Sequence, residues 1–310
     1  MNRRLLLQNL LAVSAGALVI GKGRAQDPLA NVNEDPFILR SESRLVLLDV
    51  SVRNRQGAVV SGLSRDDFRI WEDGQRQTIA TFDRGDLPVT LGVLIDESRS
   101  MAPKRDEVLA AAESLIAESN TDDEIFVVNF NETATFGLSP SSKLFSDSLE
   151  ELRAALYRGV PRGRTALNDA VIAGLERLEL GKRERKTLVV ISDGGDNNSD
   201  HSARETIDHV ERSLATIYAI GLLSSDDRDR NPGFLRRLAR ASGGEAFFPS
   251  GASQMAMICH RIAQDIRSRY TLGYVPSEGK RTLRRVRVEV RAEGLRGLSA
   301  RTRSVYRFDR

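Results

Sequence analysis

Three short stretches of this 310-residue sequence carry oxygen donors where they could converge. Asp96-Glu97-Ser98-Arg99-Ser100 puts carboxylate and hydroxyl groups on one loop, directly after the apolar run from Val89 to Ile95. Gly163-Arg164-Thr165-Ala166-Leu167 brings a further hydroxyl just ahead of a helical stripe, and Ser192-Asp193-Gly194-Gly195-Asp196 follows a second apolar run that starts at Leu188. Hydroxyl and carboxylate oxygens without thiolate or imidazole suit a hard divalent cation. Mg²⁺ is favoured because it takes octahedral oxygen ligation with few formal charges, and Mn²⁺ or Ca²⁺ are the alternatives. Two carboxylates against one dication leave little excess negative charge, so the ion stays electrophilic and can accept an acidic oxygen from a partner.

The elements that would position these loops alternate. The fully apolar stretch Val89–Ile95 reads as a strand covered on both faces. Val108, Ala111, Ala112, Leu115 and Ile116 recur at helical spacing, Ile125–Phe130 is the next strand, and Leu167, Val171, Leu175 and Leu178 form another helical stripe. Strands at 188–192 and 216–221 and helices near 203–214, 234–242 and 254–269 continue the pattern. This predicts an α/β fold, a doubly wound, mostly parallel sheet with ligands bound outside the carboxyl ends of its strands, near a switch in strand order. Small β segments flank it at both ends. Before it, Val46, Leu48, Val50 and Val52 alternate with more polar residues, Ser64-Arg65-Asp66-Asp67 suggests a capped turn, and Asp73-Gly74 signals a hairpin leading into a strand at 78–82. After it, Val286, Val288 and Val290 alternate with Arg287, Glu289 and Arg291.

Together, the D-x-S-x-S set, the threonine of G-x-T-x-L and the aspartate after an apolar strand resemble the metal-ion-dependent adhesion site of von Willebrand factor A domains. The resemblance covers about Pro88 to Arg269. It implies that Ser98 and Ser100 ligate the metal directly, and that Thr165, Asp96 and Asp193 do so directly or through water. The flanking pieces, with Trp71-Glu72-Asp73-Gly74 before and Tyr270-Thr271-Leu272-Gly273-Tyr274 after, resemble a bacterial exported subgroup. One departure stands out: Arg99 replaces the usual glycine between the serines, and Arg164 precedes Thr165. Cations beside a cation site weaken it unless they point outward and help to hold an anionic partner.

Other candidates carry less chemistry. Glu97 reads as a solvated loop residue, and Asp169 and Asp196 read as helix-terminus or turn residues. His201, His209 and His260 lack metal-ligand spacing, and the lone Cys259, in an apolar helical run, reads as a buried thiol that excludes any internal disulfide. Nucleophile-elbow and Walker-type loops are absent.

At the start, Met1–Arg4 is basic, 5–20 is mostly apolar but short for a membrane span, and 21–25 ends in a small residue. This predicts a signal peptide, of the Sec or twin-arginine kind, and a periplasmic or extracellular protein. Residues 1–25 hold four of the 46 basic residues and none of the 43 acidic ones, so the remainder is close to neutral. An acidic middle with a basic tail argues against a nucleic-acid surface. The expected organisation is a signal peptide (1–25), a linker (26–40), a small β module (41–86), the von Willebrand-type domain (87–269) and a C-terminal β segment (270–310).

The expected function is non-enzymatic: an exported, Mg²⁺-dependent protein-binding module that captures a carboxylate of a protein partner, with no nucleic-acid role and no stable membrane span once the signal is removed. The alternatives are a metal-free structural envelope module and a metal-dependent phosphohydrolase. The hydrolase needs a second acid two residues after Asp96, where Ser98 stands.

Overall fold

A computed structural model describes residues 45–138, 143–223, 229–276 and 282–307. The expected signal peptide and linker lie outside these. Alternating apolar residues form β1 (Val46–Arg53). Asn54 ends it, its Oδ1 accepting the amide hydrogens of Gln56 and Ala58 at 3.0 and 2.9 Å. Ser64 and Asp67 close a capping box around a 3-10 turn (Arg65–Asp67). β2 (Phe68–Glu72) and β3 (Gln75–Gln77) are joined through Asp73 and Gly74, at φ 47° and 86°. Positive φ at both positions matches the right-handed twist of a two-residue hairpin. The return strand is therefore 75–77 rather than 78–82, and β4 (Ile79–Arg84) leaves for a different sheet.

Next come β5 (Val89–Asp96), β6 (Glu124–Phe130), β7 (Ala134–Phe136), β8 (Arg185–Ser192), β9 (Thr216–Gly221) and β10 (Ala246–Phe247). They form one sheet in the order β10-β9-β8-β5-β6-β7, parallel throughout except for the pair β6–β7. This is the doubly wound sheet that the alternation of elements predicts. The chain steps from β5 to β6 on one side and later returns to β8 on the other, so the switch in strand order falls between β5 and β8. Every residue of β5 is buried. Gly92 in its middle is required by close approach, because a Cβ there would lie 2.4 Å from Phe126 and 2.6 Å from Leu188.

α1 (Arg105–Ala117), α2 (Leu149–Leu156) and α6 (Ala252–Arg267) cover one face of the sheet. α3 (Leu167–Glu179), α4 (Ala203–Arg212) and α5 (Pro232–Ser242) cover the other. Each fully buried Leu, Val or Ile contributes roughly 1.5–3 kcal/mol, so the two faces hold most of the apolar stabilisation.

The ends of the chain build a second body together. β11 (Tyr270–Tyr274) lies between β1 and β4 in the sheet β13-β1-β11-β4, and β12 (Leu283–Val290) lies between β14 and β2 in the sheet β14-β12-β2-β3, with β13 at Ser299–Arg301 and β14 at Val305–Arg307. The segments before and after the α/β unit thus interleave as one antiparallel sandwich, with Phe68 and Tyr270 packed ring to ring across its core at 4.9 Å. This sandwich abuts the amino ends of the parallel strands. Arg185, at the start of β8, donates to the Thr271 hydroxyl (3.0 Å) and to the carbonyls of Gly85 (3.0 Å) and Arg269 (2.7 Å). Asp265 near the end of α6 accepts from Arg53 and Arg301 at 2.8 Å, from Arg269 at 3.2 Å and from the Tyr218 hydroxyl. Burial alone would raise its pKa, but the Arg269 and Arg301 guanidinium groups hold it well below the usual carboxylate range. Among the described residues no helix is long and apolar enough to cross a membrane.

Candidate metal centre

Asp96 closes β5 and Asp193 follows β8, so both carboxylates sit at the carboxyl edge of neighbouring strands, at the switch point. Asp96 is 2 % exposed. Its Oδ1 accepts the Ser98 amide hydrogen at 2.9 Å and its Oδ2 accepts the Ser192 hydroxyl at 2.6 Å. Ser98 starts the 3-10 turn Arg99–Lys104, which carries Ser100 round to Asp193. The Ser100 hydroxyl donates to Asp193 Oδ2 at 2.6 Å, so the 3.1 Å contact between the two serine oxygens is a bond donated by Ser98.

The other walls are held by backbone. Gly194 adopts φ 86°, and a Cβ there would lie 2.5 Å from the Asn231 carbonyl, so the turn after Asp193 depends on glycine. The Gly195 amide donates to Asp193 Oδ1 at 2.8 Å, and the Asn231 amide to the Asp193 carbonyl at 3.1 Å. Thr165 is clamped by Asn197: its amide donates to Asn197 Oδ1 at 3.0 Å, and the amides of Asn197 and Asn198 donate back to its carbonyl at 3.0 Å. Arg99 N–H to the Gly163 carbonyl at 3.4 Å ties the first loop to the second. Ser98, Ser100, Thr165 and Asp193 line one cleft of about 180 Å³, with Asp96 bonded directly beneath Ser98. All five residues singled out in the sequence therefore meet at one place.

The donor set, hydroxyl and carboxylate oxygens only, suits a hard divalent cation. An octahedron with bonds of about 2.1 Å has edges of about 3 Å; the serine oxygens, 3.1 Å apart, match such an edge, and the Ser100–Asp193 pair, hydrogen-bonded at 2.6 Å, is closer. Burial first, and then the nearby Asp193, push the Asp96 carboxyl up to about 7. Two carboxylates crowded in this way are relieved by a cation. Among the described residues no group of three or more His, Cys, Asp and Glu side chains is placed to hold a metal, so any ligation here has to lean on hydroxyls.

Glu97 differs from expectation. It is 1 % exposed rather than solvated, and Arg105, at the start of α1, donates to its carboxylate at 3.1 and 3.3 Å. Burial raises its pKa, opposed by that guanidinium. The chain folds back on itself here, which residue types alone do not reveal. Asp196 and Asp169 are structural, as expected. Asp196 accepts the Asn168 amide at the start of α3 at 2.7 Å, and Asp169 accepts the amides of Asp200 and His201 at 2.9 and 3.0 Å. His201 and His260 are exposed, and Cys259 is a buried free thiol pushed up to about 12 by burial and then by Glu118. Sequence reasoning missed Ser192 and Asn197 as supports. A hydroxyl closing an apolar strand beside β5 was the available signal for Ser192.

A doubly wound sheet with hydroxyl-rich loops at its switch point defines a class, and the von Willebrand factor type A domain matches residues 91–258 of this sequence. The chain belongs to that family. Among solved structures it is similar to a von Willebrand factor type A protein from Catenulispora acidiphila, at 15% identity and a TM-score of 0.51 over 85% of this chain and 75% of that one. It is also similar to proximal thread matrix protein 1 from the mussel byssus (14% identity, TM-score 0.48, 59% of this chain and 49% of that one). A third likeness is to the von Willebrand factor domain of the type V pilus tip protein Mfa5 from Porphyromonas gingivalis (13%, 0.49, 58% and 95%). The chain thus spans about half the length of the byssus protein. No curated protein matches it.

Proposed function

We propose that this protein is an exported binding module that holds Mg²⁺ between Asp96, Ser98, Ser100, Thr165 and Asp193 and uses an open coordination position to capture a carboxylate of a protein partner. The observation that carries the reading is the meeting of Ser98, Ser100 and Asp193 within hydrogen-bonding distance at the switch point, above a buried Asp96. The ion supplies an electrophile for an acidic oxygen, and the chain supplies its orientation. Ser192 and the Ser98 amide fix the Asp96 carboxylate, and Asn197 fixes Thr165. The Ser100 hydroxyl meets the Asp193 carboxylate at 2.6 Å, and this reading gives both groups to the ion as ligands rather than to turnover as nucleophile and base. Export rests on the basic and apolar start of the sequence.

Calorimetric titration with Mg²⁺ tests the metal. The expected result is saturable heat in the wild type, lost in Asp96→Ala and reduced at least tenfold in affinity in Ser98→Ala. Equal heats in all three proteins overturn the reading.

A further inference from the structure

Arg99 and Arg164 line the metal cleft itself. Arg158 and Arg162, earlier on the loop that carries Arg164, line a second hollow of about 420 Å³ that has Glu97 and Asn129 among its walls. All four arginines are exposed, and among the described residues no ion pair or side-chain hydrogen bond engages their guanidinium groups. Two of the acids nearby are otherwise placed. Asp229 is held by Asn197 at 2.8 Å and Glu97 is taken by Arg105, which leaves exposed Glu132, beside Gly163, as one acid against four guanidinium groups. Arg99 and Arg164 beside a cation site weaken ion binding, and none of the four guanidinium groups orients a group of the described residues. Exposed and unpaired, they are free to meet an anion from outside, and guanidinium pairs best with carboxylates in a two-pronged contact.

We propose that the partner presents a run of acidic residues rather than a single acid, with one carboxylate for the metal position, its neighbours for Arg99 and Arg164, and any continuation following Arg162 and Arg158. The inference rests on the metal reading above and narrows the partner to an acidic protein segment. Spreading the negative charge over several residues lets the arginines repay in partner affinity what they cost in ion affinity, and it makes capture sensitive to salt.

The test is fluorescence anisotropy of the protein in Mg²⁺ with two labelled peptides, one holding a single Asp in a Gly-Ser background and one holding Asp-Glu-Asp in the same background. The triple-acid peptide is expected to bind at least tenfold more tightly. An Arg99→Gln/Arg164→Gln double variant is expected to erase that advantage while its calorimetric Mg²⁺ affinity stays equal or rises. Equal binding of the two peptides, or an advantage that survives the double variant, overturns the proposal. So does a sulfated glycan fragment that binds more tightly than the triple-acid peptide. If the wild type takes up no Mg²⁺, the metal reading fails on its own. In chelator, an arginine-dependent preference for the triple acid then still supports the acidic partner, and its loss overturns that as well.

Discussion

Asp96 occupies a position that is poor for an ionised carboxylate and good for a cation ligand. Burial and the adjacent Asp193 raise its pKa to about 7, and the hydrogen bonds from Ser192 and Ser98 offset only part of this. A neutral isostere should therefore relieve the metal-free fold. Asp96→Asn is expected to raise metal-free stability by roughly 1–3 kcal/mol, since a tenfold change in a protonation equilibrium corresponds to about 1.4 kcal/mol, and to show no rise in melting temperature with Mg²⁺, where the proposed metal site predicts one for the wild type. Thermal melts with and without Mg²⁺ decide this, and lower metal-free stability in the variant would contradict it. Glu97 sits in a similar burial but is matched by Arg105. Arg105→Met leaves that carboxylate buried without its cation and is expected to cost about 3–5 kcal/mol, measured by urea denaturation.

At the scale of elements, loops and strand ends set the geometry, and glycine governs several of them. A Cβ on Gly244, just past α5, would lie 1.9 Å from the Ile217 carbonyl oxygen, a backbone atom of β9. Gly244→Ala is thus expected to destabilise the fold by about 2–4 kcal/mol, and wild-type stability in that variant would show that the β9 edge yields. Most elements of the central unit are legible in the sequence, because a buried parallel strand reads as a continuous apolar run and its helices repeat at 3.6 residues. α2 is not. Its eight residues, Leu149–Leu156, give only two turns, and its three buried residues, Leu152, Ala155 and Leu156, are too few to establish a period. β7 is three residues long and half-exposed, too short for alternation to speak. In the candidate site, the oxygen-bearing residue types and their strand-end positions are legible. The Asp96–Ser192 bond is not, since pairing between β5 and β8 is a matter of topology rather than of local pattern.

For the molecule as a whole, the alternation in β1 and β12 tells which face of each strand is buried but not which strand lies beside it, so the pairing of β1 with β11 and of β2 with β12 comes only with the structure. That pairing makes the sandwich and the α/β unit mutually dependent. Asp265 on α6 receives Arg53 from β1 and Arg301 from β13. Asp265→Asn leaves these guanidinium groups and Arg269 without their shared counter-charge, and should cost about 3–5 kcal/mol at neutral pH. The folded carboxyl is held below its unfolded value of about 3.9. The difference between wild type and variant is therefore fully present above about pH 4 and shrinks as the pH falls further. Denaturation curves at pH 7 and pH 3 measure this, and a gap that widens in acid would refute it. Fluorescence and circular dichroism should report a single shared transition for both bodies.

The described chain enters through β1 and departs through β14, both in the sandwich. The sandwich stands on the amino ends of the parallel strands, opposite the edge that bears Asp96 and Asp193. A tether fused directly before Leu45 or after Arg307 would therefore hold the described body by its foot and leave the oxygen-rich mouth on the opposite side clear.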